Sequence, residues 1–89
     1  MRKLVPSKAV LKALLELPPK QYRQVVSAIF ELLADPTPHY SKPLQGTPYL
    51  RIAVGEYRVV YWADDEMIHI AAVGKRNDSE VYRLLERKM

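Results

Sequence analysis

The chain is predicted to be an α+β domain, an antiparallel β-sheet with an αα-hairpin packed on one face, in the order βααβββα. Three observations predict it. Apolar residues recur at helical spacing through the first 33 residues, a Pro-Pro corner divides that stretch, and two short polar turns separate three strand-like runs between residues 50 and 74. With 89 residues, 48% of them hydrophobic, the chain is expected to form a single globular domain over 1–89.

A short strand is expected over Arg2–Val5. Ser7 can cap a helix running to about Leu17, because Val10, Leu11, Leu14, Leu15 and Leu17 follow helical spacing. Pro18 stops that helix and Pro19 suits the first turn of the next. There Tyr22, Val25, Val26, Ile29, Phe30 and Leu33 form one amphipathic stripe that seeks a sheet. The stretch "DPTPHYSKPLQGTPY", Asp35 to Tyr49, reads as a connection long enough to suggest a function of its own. Strands then follow at "LRIAV", "YRVVYWA" and "MIHIAAVG", joined by "GE" and "DDE". Asn77 with Glu80 three residues later resembles a capping box that opens a short C-terminal helix to about Lys88.

The absence of cysteine excludes a disulfide scaffold, thiolate zinc sites and a thiol nucleophile. "MRKLVPSKAV" lacks the apolar core of a signal peptide and no apolar run spans a bilayer, so the cytoplasm is the expected compartment and no membrane partner is expected. A net charge of +4 suits a polyanionic partner without requiring one.

The "GE" loop fixes an expected register. Val54 faces Tyr57, Ala53 faces Arg58 and Arg51 faces Val60. Leu50, Ile52 and Val54 then share the helix-side face with Val59 and Tyr61, while Arg51, Ala53 and Arg58 lie on the other. Arg51 and Arg58 become diagonal neighbours about 7–8 Å apart at the backbone, within reach of one phosphate. In the third strand Ile68 and Ile70 should point inward, with His69 and Ala71 on the arginine face and Arg76 leaving the strand end beside Arg58. Tyr82 follows in the first turns of the last helix, whose positive end favours an anion. A single strand arginine is ordinarily solvated surface; three converging beside a tyrosine point to an anion site.

The stretches "LQG", "RIAVGEYRVVY" and "VGKRNDSEVY", with "ELLADP" before them, resemble the RelE family of toxins from bacterial and archaeal toxin–antitoxin pairs. The likeness covers nearly the whole chain. The Gly-x-Tyr-Arg hairpin marks the wider RelE/ParE superfamily, and "GKR" followed by "SEVY" points to the RelE branch. The resemblance implies a small curved antiparallel sheet and ribosome-dependent cleavage of mRNA in the A site, which halts translation. It implies catalytic roles for Arg51, Arg58, Arg76 and Tyr82. Two departures stand out: Ala53 occupies a position that is often basic in the family, and Gln45 replaces a frequent arginine before Gly46. Lys42 or Lys75 could substitute for the missing cation.

RNA can be cut without a metal or other cofactor when its 2′-hydroxyl attacks the adjacent phosphorus. The enzyme must accept that proton, stabilise the phosphorane and protonate the leaving 5′-oxygen. Tyr82 is the best base, provided cations help it ionise, and Arg58 and Arg76 can supply that field while binding phosphate oxygens. No His–Glu or His–His pair is evident, and His69 and His39 rank below Tyr82. Lys42, Lys75, Trp62 and Arg83 are the expected RNA contacts, with Tyr61 assigned to the core. Asp64, Asp65 and Glu66 read as a solvated hairpin tip without further ligands for a metal. The partners implied are the ribosome, mRNA and an acidic RelB-like antitoxin forming a hetero-oligomer. A ParE-like inhibitor of DNA gyrase, or a weakened relative that binds RNA or antitoxin, are the alternatives.

Overall fold

The computed structural model describes residues 2–75. They form strand β1 (Lys3–Pro6), helices α1 (Lys8–Leu15) and α2 (Pro19–Ala34), and strands β2 (Lys42–Pro43), β3 (Leu50–Val54), β4 (Tyr57–Ala63) and β5 (Met67–Lys75). The α+β class and the helix–sheet layering are as predicted. The proposed C-terminal helix lies outside the described residues.

The sheet order is β1-β5-β4-β3-β2. The central ladders are antiparallel, but β1 pairs with β5 in parallel, Leu4 opposite Ile68 and Pro6 opposite Ile70, so the sheet is mixed. Lys3 N–H donates to the Glu66 carbonyl at 2.8 Å and extends that pairing beyond the strand end. Both edge strands are short and carry a proline, Pro6 on β1 and Pro43 on β2, which removes a ladder donor.

Ser7 caps α1 as its sequence suggests, its hydroxyl accepting from the Val10 N–H at 3.2 Å. The helix stops at Leu15, two residues early. The Glu16 N–H reaches both the Lys12 and Ala13 carbonyls and Leu17 N–H reaches Leu14, tightening the last turn ahead of Pro18. In α2 the buried residues are Val25, Ile29 and Leu32, whereas Phe30 is 56% exposed. The apolar stripe is wider than the arc that meets the sheet, so one flank of it is left uncovered.

The core lies between the helices and the inner sheet face. Val10, Val25, Ile29 and Leu32 meet Ile52, Val59, Tyr61, Ile68, Ile70 and Val73 there. Strict alternation along β5 would have turned Val73 outward. A register shift between Val60 and Tyr61 prevents this: Tyr61 pairs with Ile70 while Val60 pairs with Ala72, so Ala71 is the extra residue of a β-bulge. Ala71 and Ala72 both pack against Val60 on the outer face, and Val73 returns to the core.

The proline-rich connection is folded rather than loose. The Thr37 N–H donates to Asp35 Oδ1 at 3.2 Å, and Ser41 bonds the Pro38 carbonyl through both its N–H and its hydroxyl, at 2.8 and 2.7 Å. Its far end forms β2 and then a turn in which Gly46 takes φ +77, a conformation that accounts for the glycine of "LQG". Thr47 bonds the Leu44 carbonyl, and the Leu44 N–H bonds the Tyr49 carbonyl at 3.0 Å. This loop lays Leu44 and Tyr49 over Val60 and Ala72, closing part of the outer face.

Candidate active site

The β3–β4 hairpin turns at Gly55, whose φ of +60 is one an L side chain adopts only with strain. The register is the one the "GE" loop implies: Val54 opposite Tyr57, Ala53 opposite Arg58, Arg51 opposite Val60. Arg51 and Arg58 are therefore diagonal neighbours on the face away from the helices. Lys42, in β2, sits directly opposite Arg51 on the other side of β3. Like charges opposite one another are unfavourable in a sheet unless an anion joins them.

Arg58 is half-buried, and its guanidinium is held at the turn. Nη1 donates to the Tyr57 carbonyl at 2.9 Å and to the Gly55 carbonyl at 3.2 Å. Those two bonds use both hydrogens of Nη1, leaving the Nε–Nη2 edge as a planar fork of the kind that matches two oxygens of a phosphate. Among the described residues no carboxylate accepts a hydrogen bond from Arg51, Arg58 or Lys42. Ala53, beside Arg58, is exposed and adds only a methyl group.

Other candidates are placed elsewhere. Lys75 lies opposite Tyr57, on the helix-side parity, because the bulge puts Gly74 rather than Val73 across from Arg58. Gln45 is exposed in the turn that holds Gly46. Trp62 is half-buried on the outer face, stacked on His69 with ring centroids 4.1 Å apart and planes 14° off parallel. Both lie four residues along β4 from Arg58, about 13 Å, so His69 is remote from a phosphate held there. Arg76, Tyr82 and Arg83 lie outside the described residues.

Tyr61 belongs to the core. It is fully buried and its hydroxyl donates to the Pro36 carbonyl at 2.7 Å, anchoring the proline-rich segment to the sheet. Burial pushes its phenol above the usual range, against a smaller opposing effect of Ser41. The acidic turn is structural as well. Asp64 Oδ1 accepts the Glu66 and Met67 N–H groups, both at 2.8 Å, and these bonds hold its carboxyl below the usual carboxylate range. Among the described residues no group of three or more His, Asp or Glu side chains is arranged to hold a metal ion. No described helix is long and apolar enough to cross a membrane.

A small mixed sheet backed by two helices is shared with known proteins. Residues 4–80 match the sequence profile described as the ParE toxin of the type II toxin–antitoxin system parDE. The chain belongs to this toxin family. Solved relatives extend the assignment to the RelE/ParE superfamily. The isolated RelE toxin of Escherichia coli is 28% identical, with a TM-score of 0.76 over 100% of both chains. RelE in the archaeal RelE–RelB complex of Pyrococcus horikoshii is 29% identical, with a TM-score of 0.76 over 86% of this chain and 97% of that one. The intact E. coli RelBE toxin–antitoxin complex gives 27% identity and a TM-score of 0.75 over 86% and 99%. No curated protein sequence matches the chain significantly.

Within this toxin, Leu44 and Tyr49 are the outer-face residues that strand reasoning missed. The signal was Val60: an apolar side chain between Arg58 and Trp62 on an outward face needs a cover, and the loop before β3 provides it.

Proposed function

We propose that this toxin is a metal-independent endoribonuclease that cuts mRNA on the ribosome. The observation that carries this reading is the Arg58 guanidinium, seated on two turn carbonyls and diagonal to Arg51. A preorganised fork beside a second cation suits a phosphate that gains charge as it becomes five-coordinate. In the proposed reaction the 2′-oxygen forms a bond to phosphorus, its proton passes to the Tyr82 phenolate, the bond to the 5′-oxygen breaks, and that oxygen takes a proton from solvent. The products are a 2′,3′-cyclic phosphate and a 5′-hydroxyl. Arg51 and Arg58 hold the phosphate, Arg76 stabilises the transition state, and Lys42 and Arg83 contact the RNA backbone; Lys75, on the helix side, is not assigned a contact. Tyrosine is a weak base near neutral pH, so the ribosome is assigned the task of orienting the substrate, and free RNA should be cut slowly.

Toeprinting on programmed ribosomes tests this reading. New mRNA ends at the A site, lost in Arg58→Ala, are expected; unchanged cleavage by that variant would refute the assigned site. The matched ParE profile favours a second reading, inhibition of DNA gyrase. Trapped gyrase–DNA adducts without A-site cleavage would establish it in place of the first.

The proposed partner is an antitoxin, as in the solved RelE–RelB complexes. An apolar groove of about 180 Å³ runs between β1, α1 and α2, and its lining includes Leu4, Leu11, Tyr22, Val26 and Phe30. Leu11 and Phe30 are 48% and 56% exposed, and an apolar patch of this kind on a charged surface suits a partner segment with its own apolar stripe. The toxin's net charge of +4 favours an acidic one.

A further inference from the structure

The outer face is ordered in transverse rows. Arg58 stands between Ala53 and Gly74 in one row. The next contains Lys42, Arg51, Val60 and Ala72. One step further Trp62 pairs with His69, which pairs in turn with Val5 of β1, and the residue preceding Leu50 on the β3 side is Tyr49. Rows in a sheet repeat every two residues, about 7 Å. The toxin therefore presents cations in two adjacent rows and aromatic rings in the third.

That third row borders a concavity of about 280 Å³ whose lining includes Val5, Pro6, Tyr49, Trp62 and His69. It is smaller than a typical pocket for a whole ligand, and its walls are flat rings and apolar side chains. The Trp62 and His69 rings are stacked before any ligand arrives, so a further planar group meets a surface already ordered. Arg51 lies one row away, and one ribose separates a nucleotide's base from its phosphate by a span of similar order.

We propose that the Tyr49–Trp62–His69 shelf is a nucleobase subsite. It takes the base of a single-stranded RNA nucleotide next to the phosphate held by Arg51 and Arg58. Base–aromatic stacking is tolerant of sequence, so the subsite sets position along the strand more than base identity. This inference rests on the ribonuclease reading for its substrate class.

Trp62 is the only tryptophan, so its fluorescence reports the shelf directly. The experiment titrates the whole toxin at low salt with a 2′-O-methyl RNA hexanucleotide, which cannot be cut, and with the same strand carrying abasic sites. Quenching by the intact strand is expected, with binding about tenfold tighter than the abasic strand. Trp62→Phe should keep most of that preference and Trp62→Ala should abolish it, followed by anisotropy of a labelled strand. Equal binding of both strands without quenching would overturn the subsite while leaving the ribonuclease reading intact. Failure of both strands to bind would overturn the subsite, and A-site toeprinting decides the ribonuclease reading independently.

Discussion

Ala53 faces Arg58 across the β3–β4 hairpin, so the best-anchored cation of the outer face has a methyl group as its cross-strand neighbour. An exposed position beside that cation can accept a basic side chain without disturbing the core. Ala53→Lys should raise the rate of ribosome-dependent cleavage about tenfold, equivalent to about 1.4 kcal/mol of added transition-state stabilisation. Single-turnover cleavage on programmed ribosomes measures it. An unchanged rate would mean that the row of Arg58 lacks no cation.

Arg58→Ala should lower that rate by about 100-fold or more. Arg58→Lys should recover only a small part, because an ammonium cannot sit on two turn carbonyls and still offer a planar fork. Thermal melts of both variants should stay within about 1 kcal/mol of the parent, since Arg58 lies on the sheet face away from the core.

Tyr61→Phe should destabilise the fold by about 1–2 kcal/mol, because the Pro36 carbonyl loses its partner on the inner face. The phenol is held above its unfolded value of about 10. Folding therefore favours the protonated form, so this contribution is complete below about pH 10 and is lost as pH rises through the folded value. Urea denaturation between pH 8 and 11 should show a decline in the parent that is weaker in Tyr61→Phe.

Asp64 has the opposite sign. Its carboxyl is held below the usual range by two backbone N–H groups, so its contribution is present above about pH 4 and is lost as pH falls through the folded value. Asp64→Asn, whose charge does not titrate, should flatten that part of the acid limb in denaturation curves.

Phe30→Asp should weaken antitoxin binding by about 30-fold or more, because it places a charge in the α1–α2 groove. Phe30 is 56% exposed, so the free toxin should keep its melting temperature. Calorimetric titration with the antitoxin reads the first effect and a thermal melt the second.

Much of this architecture is legible in the sequence alone. The Gly55–Glu56 turn determined the hairpin register, and that register separated the arginine face from Ile52, Val59 and Tyr61. Local chemistry carried those inferences: a glycine at positive φ, a Ser cap, a Pro-Pro corner. The missing pieces were non-local or silent. Parallel pairing of β1 depends on where the chain returns after sixty residues, which periodicity over a short window does not encode. The bulge sits at Ala71 and Ala72, two small side chains compatible with either face. The seat of Arg58 on its turn carbonyls depends on a rotamer, and the covering of Val60 depends on a loop whose prolines announced rigidity but not direction.

The extra residue at Ala71 acts as a half-period phase shift written into β5. Upstream of it even-numbered residues face the helices; downstream odd-numbered ones do. Straightening the bulge with Ala71 still present would exchange the surface each later side chain serves, sending Val73 to solvent and Gly74 into the core. Deleting Ala71 would instead join Ile70 directly to Ala72 and keep Val60–Ala72 and Val59–Val73 paired. A one-residue deletion there should be tolerated better than a deletion elsewhere in β5, which would shift the register of every residue after it. The facing of Val73 and Gly74 thus depends on how the ladder absorbs one inconspicuous residue.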